Sequence, residues 1–375
     1  MKVPGRSIHA HPTSALRSPT VSFTTCSSGA SAASRLIVSF RSLAACALLV
    51  FASALPTIAA SPRTIRFTYE VEIGPLTGGS EPAHIFVPLA QSDEHQRVLS
   101  REITASILGV LGREAQHGNV FWHGQLARPE GETVHVRVDY VVDRRPYRKD
   151  GLASVSRGDV LSPAEERRVQ QYLDGNSLVP VNHPMLAPVL AEIRLHAPVD
   201  DKARTARAIY DWLIDNLEYK KVGNGWGNGD AFWACSKRYG NCTDFHSLFN
   251  ALARSSEIPA RFEIGFPIPE DRGRSSIGGY HCWAQFFLPG VGWVPVDASE
   301  AFRRPERREE FYGGQGADRI RFTTGRDLEL GPQQTSGPLN YFIYPHVEQA
   351  GETWKGPIEK KFTYEDVPTD ELAKK

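Results

Sequence analysis

The sequence predicts an α+β protein, and two kinds of periodicity carry that prediction. Over 64–73, Ile65, Phe67, Tyr69, Val71 and Ile73 recur at every second position, and over 134–142 so do Val134, Val136, Val138, Tyr140 and Val142. In the middle of the chain the period changes. Ala206, Ile209, Tyr210, Leu213, Ile214 and Leu217 share one stripe of a helix predicted over 199–219. Strand runs flanking a helical middle give the α+β class.

The N-terminal 60 residues are read as a targeting segment. They hold Lys2, Arg6, Arg17, Arg35 and Arg41 and no Asp or Glu. Arg35 and Arg41 precede an apolar run over 43–55, and Pro56, Ala59 and Ala60 follow, the pattern of a secretory signal cleaved near Ala60. Three alternatives stay open: an uncleaved membrane anchor, an organelle transit peptide and a misassigned start codon. Leu43-Ala44-Ala45-Cys46 imitates a lipoprotein box, but its apolar run lies after the Cys. Exported, periplasmic or secreted, is therefore the expected location. Formal net charge is zero over 375 residues; removing the five N-terminal cations leaves 38 basic against 43 acidic side chains, a net of −5. That balance gives no basic footprint for nucleic acid.

Three further segments follow. Residues 61–155 read as a β-sandwich domain, 156–305 as the catalytic core, and 306–375 as a C-terminal strand-rich region. The core opens with Ser162-Pro163-Ala164-Glu165, a capping box with Pro at the first helical position. Asp200 and Asp201 stand at the start of the 199–219 helix, where its dipole favours anions. A Gly-, Asn- and Trp-rich stretch over 222–230 has no preceding strand and no Lys-Ser/Thr after it. It reads as a flexible loop rather than a phosphate cradle.

The chemistry centres on Cys242. Phe245, Leu248, Phe249 and Leu252 follow it at i, i+3, i+4, i+7, so Cys242 opens a helix whose apolar face enters the core. A helix N-terminus favours a thiolate, and its free N–H groups can bind an oxyanion. His281 and Asp297 lie on two strand-like segments around the turn 289–292. A hairpin centred on Pro289 would make them direct cross-strand neighbours, with Cβ atoms roughly 5 Å apart. A two-residue turn would place them on opposite faces. Thiol, imidazole and carboxylate are the parts of a thiol acyl-transfer site.

Four blocks then resemble the transglutaminase-like superfamily: Tyr239-Gly240-Asn241-Cys242-Thr243-Asp244-Phe245, Ile258-Pro259-Ala260-Arg261, Gly279-Tyr280-His281-Cys282-Trp283-Ala284, and Gly292-Trp293-Val294-Pro295-Val296-Asp297. The resemblance covers roughly residues 200–300. It implies a papain-like core with Cys242 as nucleophile, His281 as general base and acid, and Asp297 as the residue that orients the ring. The family spans protein crosslinkers, cysteine peptidases, amidases and silent members. Hydrolysis of a peptide or carboxamide through a thioester is the expected reaction. A crosslinking transglutaminase and a catalytically silent peptide- or glycan-binding protein are the alternatives. The expected partner is a peptide or protein, with no nucleic acid, and with a membrane only if the N-terminal segment stays uncleaved.

Four neighbouring residues bear on this site. His246, one turn past Cys242, is a rival base without an evident strand carboxylate. Trp226 is the oxyanion candidate, since some relatives use an indole N–H there, although its spacing departs from that of the crosslinkers. Trp283 would shield the His281–Asp297 pair, and Trp233 would pack. No cofactor and no metal are expected: Cys235, Cys242, Cys282 and His246 lack the close ligand pairs of a zinc site. With Cys26 and Cys46 removed, three cysteines remain. A Cys235–Cys282 disulfide, with Cys282 turned away from the chemistry, is the expectation for an exported chain. Asp297→Asn is expected to spare the fold.

Overall fold

The computed structural model describes residues 61–152, 161–198 and 200–368. The targeting segment, with Cys26 and Cys46, lies outside them. The N-terminal strands are β1 (Arg63–Thr77), β2 (Ala83–Leu89), β3 (Gln96–Ala105), β4 (Gly109–Arg113), β5 (Val120–Leu126), β6 (Glu130–Arg144) and the short β7 (Tyr147–Arg148). Both alternating runs form strands, β1 and β6, paired antiparallel with Phe67 opposite Tyr140. Their apolar residues pack against Ile85, Val87 and Trp122 of the second sheet. The expected β-sandwich is present. Each fully buried side chain of that kind contributes about 1.5–3 kcal/mol.

Helices occupy the next segment: α1 (Pro163–Val169), α2 (Ala187–Arg194), α3 (Lys202–Asn216), α4 (Ala231–Lys237) and α5 (Cys242–Ser255). The capping box at Ser162 forms as read, with Glu165 reaching back. Asp201 caps α3 by accepting the Arg204 N–H at 3.0 Å; Val199 lies outside the described residues. The helix stops before 219. Leu217 turns extended, and β8 (Glu218–Tyr219) pairs in parallel with β9 (Tyr239–Gly240). That pairing sets Gly240 beside the start of α5.

The core sheet is built from β10 (Ala260–Pro267), β12 (His281–Leu288) and β13 (Gly292–Val296), joined by β15 (Arg319–Thr324) in the order β13-β12-β10-β15. The remaining elements are β11 (Arg274–Ile277), α6 (Ala298–Arg303), β14 (Gly314–Gln315), β16 (His346–Gln349), β17 (Glu352–Thr353) and β18 (Ile358–Asp366). One face of this sheet is apolar. Phe286 meets Phe249 of α5 with centroids 6.1 Å apart, and Phe266 meets Phe67 of the sandwich at 5.1 Å. The opposite face carries His281, Trp283, Gln285 and, from β10, Glu263, by strand alternation.

Residues 306–368 are shared out among these sheets. β15 is an edge of the core sheet, β16 and β17 extend the sheet of β2, β5 and β4, and β18 lies between β11 and β1. All the described residues fall within one compact unit.

Candidate active site

Helix α5 is buried along its whole length, with Cys242 as its first residue. Asn241 caps it by accepting the Thr243 N–H at 2.9 Å, and Asp244 returns the contact by accepting the Asn241 N–H at 2.9 Å. Asp244 also accepts the N–H groups of Gly227 (2.7 Å) and Gly229 (3.0 Å). Arg326 donates to the carbonyls of Gly229 (2.8 Å) and Asn228 (3.1 Å). The glycine-rich loop is therefore pinned to α5 at 227–229. At Gly229 a Cβ would meet Arg326, Ser247 and Thr243 at 2.6–2.7 Å, and φ is +63°, so glycine is required there.

The hairpin differs by two residues from the register read in the sequence. Leu288 pairs with Gly292 and Ala284 with Val296, so the loop is 289–291 and its centre is Gly290. The loop length is odd, which keeps Asp297 on the face of His281. By the same register its opposite position is Trp283, which makes His281 a diagonal neighbour, a spacing that two side chains still bridge. The chain leaves the strand at Asp297 and starts α6. Oδ1 of Asp297 accepts the Glu300 N–H and the Ser299 hydroxyl, both at 3.0 Å. Oδ2 accepts from His281 Nε2 at 2.6 Å and from Arg319 Nη1 at 3.1 Å. One carboxylate oxygen holds a helix and the other holds the imidazole.

With Nε2 committed to Asp297, the Nδ1 side of His281 is left for Cys242, whose charge acts on the ring. Burial alone would lower the His281 pKa. The charge and hydrogen bond of Asp297 and the contact with Cys242 outweigh it and raise the ring to about 10. Cys242 is held well below the ordinary thiol range. The hydrogen bond from Cys282 is the largest cause, burial opposes it, and the hydrogen bond and charge of His281 add to it. Asp297 is also low: burial pushes it up, while His281 and Arg319 pull it down further. The structure thus brings Cys242, His281 and Asp297 together as a thiolate–imidazolium pair with a carboxylate behind the ring.

Other expectations are corrected here. Cys235, Cys242 and Cys282 are all free. Cys235 packs among the helices, its Sγ 3.8 Å from the Met185 carbonyl. Cys282 does lie opposite His281 on β12, but that face is the one α5 covers. It therefore meets Cys242 instead of pointing away from it. Burial and the neighbouring Cys242 raise its pKa well above normal, so it stays protonated as a donor. The Trp226 indole N–H donates to the Gly223 carbonyl at 3.1 Å, within its own loop. Trp233 packs edge-on against Tyr239 at 4.8 Å. Trp283 lies on the His281 face, 6.3 Å between centroids, and donates to Glu263 at 2.7 Å.

His246 is not free to act as a base. The Ala298 N–H donates to its Nε2 at 3.2 Å, so its proton sits on Nδ1, 2.8 Å from the Cys242 carbonyl. Burial lowers its pKa, and it stays neutral.

Two residues escaped the sequence reading. Arg319 is one, the second partner of Asp297. Tyr280 is the other. Its hydroxyl accepts from Asn241 Nδ2 at 3.3 Å and lies 3.0 Å from Thr243 Oγ1, beside the nucleophile. Adjacency to His281 was its available signal. A cleft of about 730 Å3 opens at His281, walled by Tyr219, Tyr280, Lys221, Arg303 and Arg319 among others. Among the described residues no group of three or more His, Cys, Asp or Glu is placed to hold a metal.

The chain is similar to several known proteins. Residues 192–298 match the model of the transglutaminase-like superfamily. An uncharacterized protein of Haemophilus influenzae is 26% identical over 363 residues, spanning 87% of this chain and 96% of its own. A crystal structure titled as a candidate cysteine protease from Cytophaga hutchinsonii superposes with a TM-score of 0.53 at 15% identity, over 83% of this chain and 92% of that one. The periplasmic domain of TgpA from Pseudomonas aeruginosa matches with a TM-score of 0.31 at 16% identity, over 66% of this chain and 91% of its own. At residues 192–298 the chain is thus similar to the transglutaminase-like superfamily.

Proposed function

We propose that this protein is a thiol enzyme that cleaves peptide or carboxamide bonds, with Cys242, His281 and Asp297 as its catalytic residues. One observation carries the reading: His281 Nε2 lies 2.6 Å from the buried Asp297 carboxylate, and Cys242, the first residue of α5, is the thiol that the charge of this ring helps to hold below the ordinary range. The Cys242 thiolate adds to the carbonyl carbon. Its own backbone N–H, at the first helical position of α5, is the nearest donor for the oxyanion that forms. The His281 imidazolium protonates the departing amine, leaving a thioester on Cys242. The ring, now neutral at Nδ1, takes a proton from water, and the hydroxide adds to the thioester. The released carboxylic acid restores the thiolate–imidazolium pair. Asp297 holds the ring in the tautomer that both steps need.

Hydrolysis is preferred to crosslinking because water needs no second site. The 41–60 segment further supports export of the mature chain. The test is a quenched-fluorescent peptide library, with intact-mass detection of an acyl adduct on Cys242. Cys242→Ala must abolish both signals. An added primary amine that captures most of the acyl group would turn the reading toward transamidation. Peptide retention without cleavage would turn it toward a binding protein.

A further inference from the structure

The cleft beside His281 carries more positive charge than its own carboxylates match. Glu300 is taken up by Arg303 (2.7 Å) and Arg304 (2.6 Å), and Glu270 by Arg304 and Arg307 (2.5 Å each). Lys221, exposed on the rim, meets the faces of Tyr219 and Trp226 at 5.9 Å and has no carboxylate partner among the described residues. Deeper in the wall, Arg319 is 4% exposed. A guanidinium offers five N–H donors in a fork that suits a carboxylate. Asp297 Oδ2 takes Nη1, and that oxygen is already shared with His281. Arg319 Nε is buried without a hydrogen-bond partner, and Asp318 Oδ1 stays 3.9 Å from it. Arg319 is thus paired with two carboxylates, and its buried Nε–H is a donor still without an acceptor, which is costly until one arrives.

Resting on the thiol-enzyme reading of Cys242, we propose that the cleft selects acyl substrates bearing a carboxylate, received by Arg319 in the wall and Lys221 at the rim. The carboxylate is either a peptide's C-terminal group or an acidic side chain near the scissile bond. The charge also explains why the wall keeps Arg319 beside a carboxylate that His281 already occupies: the guanidinium serves Asp297 through one N–H and the substrate through the rest.

The test uses matched covalent probes on the full chain, in which the Cys242 thiolate displaces chloride. Chloroacetyl-Gly-Gly with a free carboxylate is compared with its amide. The acetyl-Glu-Gly chloromethyl ketone is compared with the Gln probe. The acid member of at least one pair should label Cys242 roughly tenfold faster than its amide, the effect of one charge-assisted contact. Which pair responds identifies the source of the carboxylate. Lys221→Met should shrink that preference by slowing the acid probe more than its neutral counterpart. Arg319→Lys should raise the half-saturating probe concentration more than it lowers the limiting rate. Equal rates for acid and amide, with iodoacetamide still labelling Cys242, overturn the proposal and leave the thiol reading standing. A preference that survives both substitutions belongs to the His281 imidazolium alone and also overturns it. Failure of iodoacetamide to label Cys242 overturns the thiol reading itself, and the proposal with it.

Discussion

Asp297→Asn keeps the shape of the side chain and removes one charge at a place where two cations meet it. If the amide oxygen stays where Oδ1 is, the Glu300 N–H and the Ser299 hydroxyl keep their acceptor and α6 keeps its cap. The NH2 group then faces His281 Nε2 and Arg319 Nη1, both donors. His281 can adapt by shedding the Nε2 proton, but its remaining proton is then fixed on Nδ1, and the ring can no longer accept one from Cys242. A trapped tautomer of this kind costs a catalytic triad up to about 10⁴ in rate. Arg319 cannot adapt by deprotonating and keeps only the more distant Asp318, 3.9 Å from its Nε. Breaking a buried pair from one side costs about 3–5 kcal/mol. That is a large share of a total stability of roughly 5–15 kcal/mol, so a melting temperature lower by on the order of 10 °C is expected. The structure thus changes the expectation that this substitution spares the fold. The double variant Asp297→Asn/Arg319→Met removes the stranded cation and should regain most of the melting temperature and none of the rate. The assay pairs a thermal melt with the rate of iodoacetamide modification of Cys242 at neutral pH and with peptide hydrolysis. A single variant that melts and reacts like the wild type, or a double variant that recovers activity, would refute the reasoning.

Further outcomes are expected. Iodoacetamide should modify Cys242 before Cys235 or Cys282, since burial raises both of the others while Cys242 is lowered; peptide mapping after partial labelling decides it. The rate of Cys242 modification should stay level from below the ordinary thiol pKa of about 8.5 up to the alkaline range, and hydrolysis should fall as pH rises through about 10, where His281 loses its proton. His281 also contributes to stability, fully below its unfolded value of about 6.5 and no longer above about 10; in urea titrations Asp297→Asn should flatten that dependence. Trp226→Phe should change turnover by less than about twofold, since its N–H serves Gly223, whereas loss of an oxyanion donor costs about 10²–10³. Exhaustive chelation should leave hydrolysis intact, and activity lost and then restored by calcium would contradict the thiol-only mechanism.

The parts of the site that were legible are local. The cap at Asn241, the apolar stripe behind Cys242 and the shared face of His281 and Asp297 are all set within one helix or one hairpin. The register was missed by two residues because Pro289 and Gly290 both suit a turn, and the backbone at Gly290, with φ of +71°, takes its centre. Arg319 was illegible for a different reason. Arg319-Ile320-Arg321-Phe322 reads as a half-buried strand with one polar face toward water. Both arginines are buried because their anions come from elsewhere: Asp297 for Arg319, and Asp93, 2.7 Å away and 228 residues back, for Arg321. Nor does the spacing of β18 show that it pairs with β1 nearly 300 residues earlier, opposite Tyr69 at Phe362. Cysteine counting misled because it treats thiols as either bridged or idle. Cys282 has a third use: buried and protonated, it helps to hold Cys242 below the ordinary thiol range.

Cys242 and Asp297 share one structural circumstance. Each stands at the start of a helix, Cys242 at the first position of α5 and Asp297 as the cap of α6. Helix starts carry N–H groups with no partner in the helix, so each needs an acceptor from outside. His246 joins the two starts. Its Nε2 accepts the Ala298 N–H of α6, and its Nδ1–H donates to the Cys242 carbonyl of α5. The ring does this only as the neutral Nδ1–H tautomer, since a proton on Nε2 would oppose the Ala298 N–H. Burial enforces that state, and Asp297 Oδ1, 3.6 Å away, does not overturn it. The histidine nearest to Cys242 in sequence is thus a strut between nucleophile and carboxylate, and the base is the distant one, because only His281 has its Nε2 taken by a carboxylate and its Nδ1 left for sulfur.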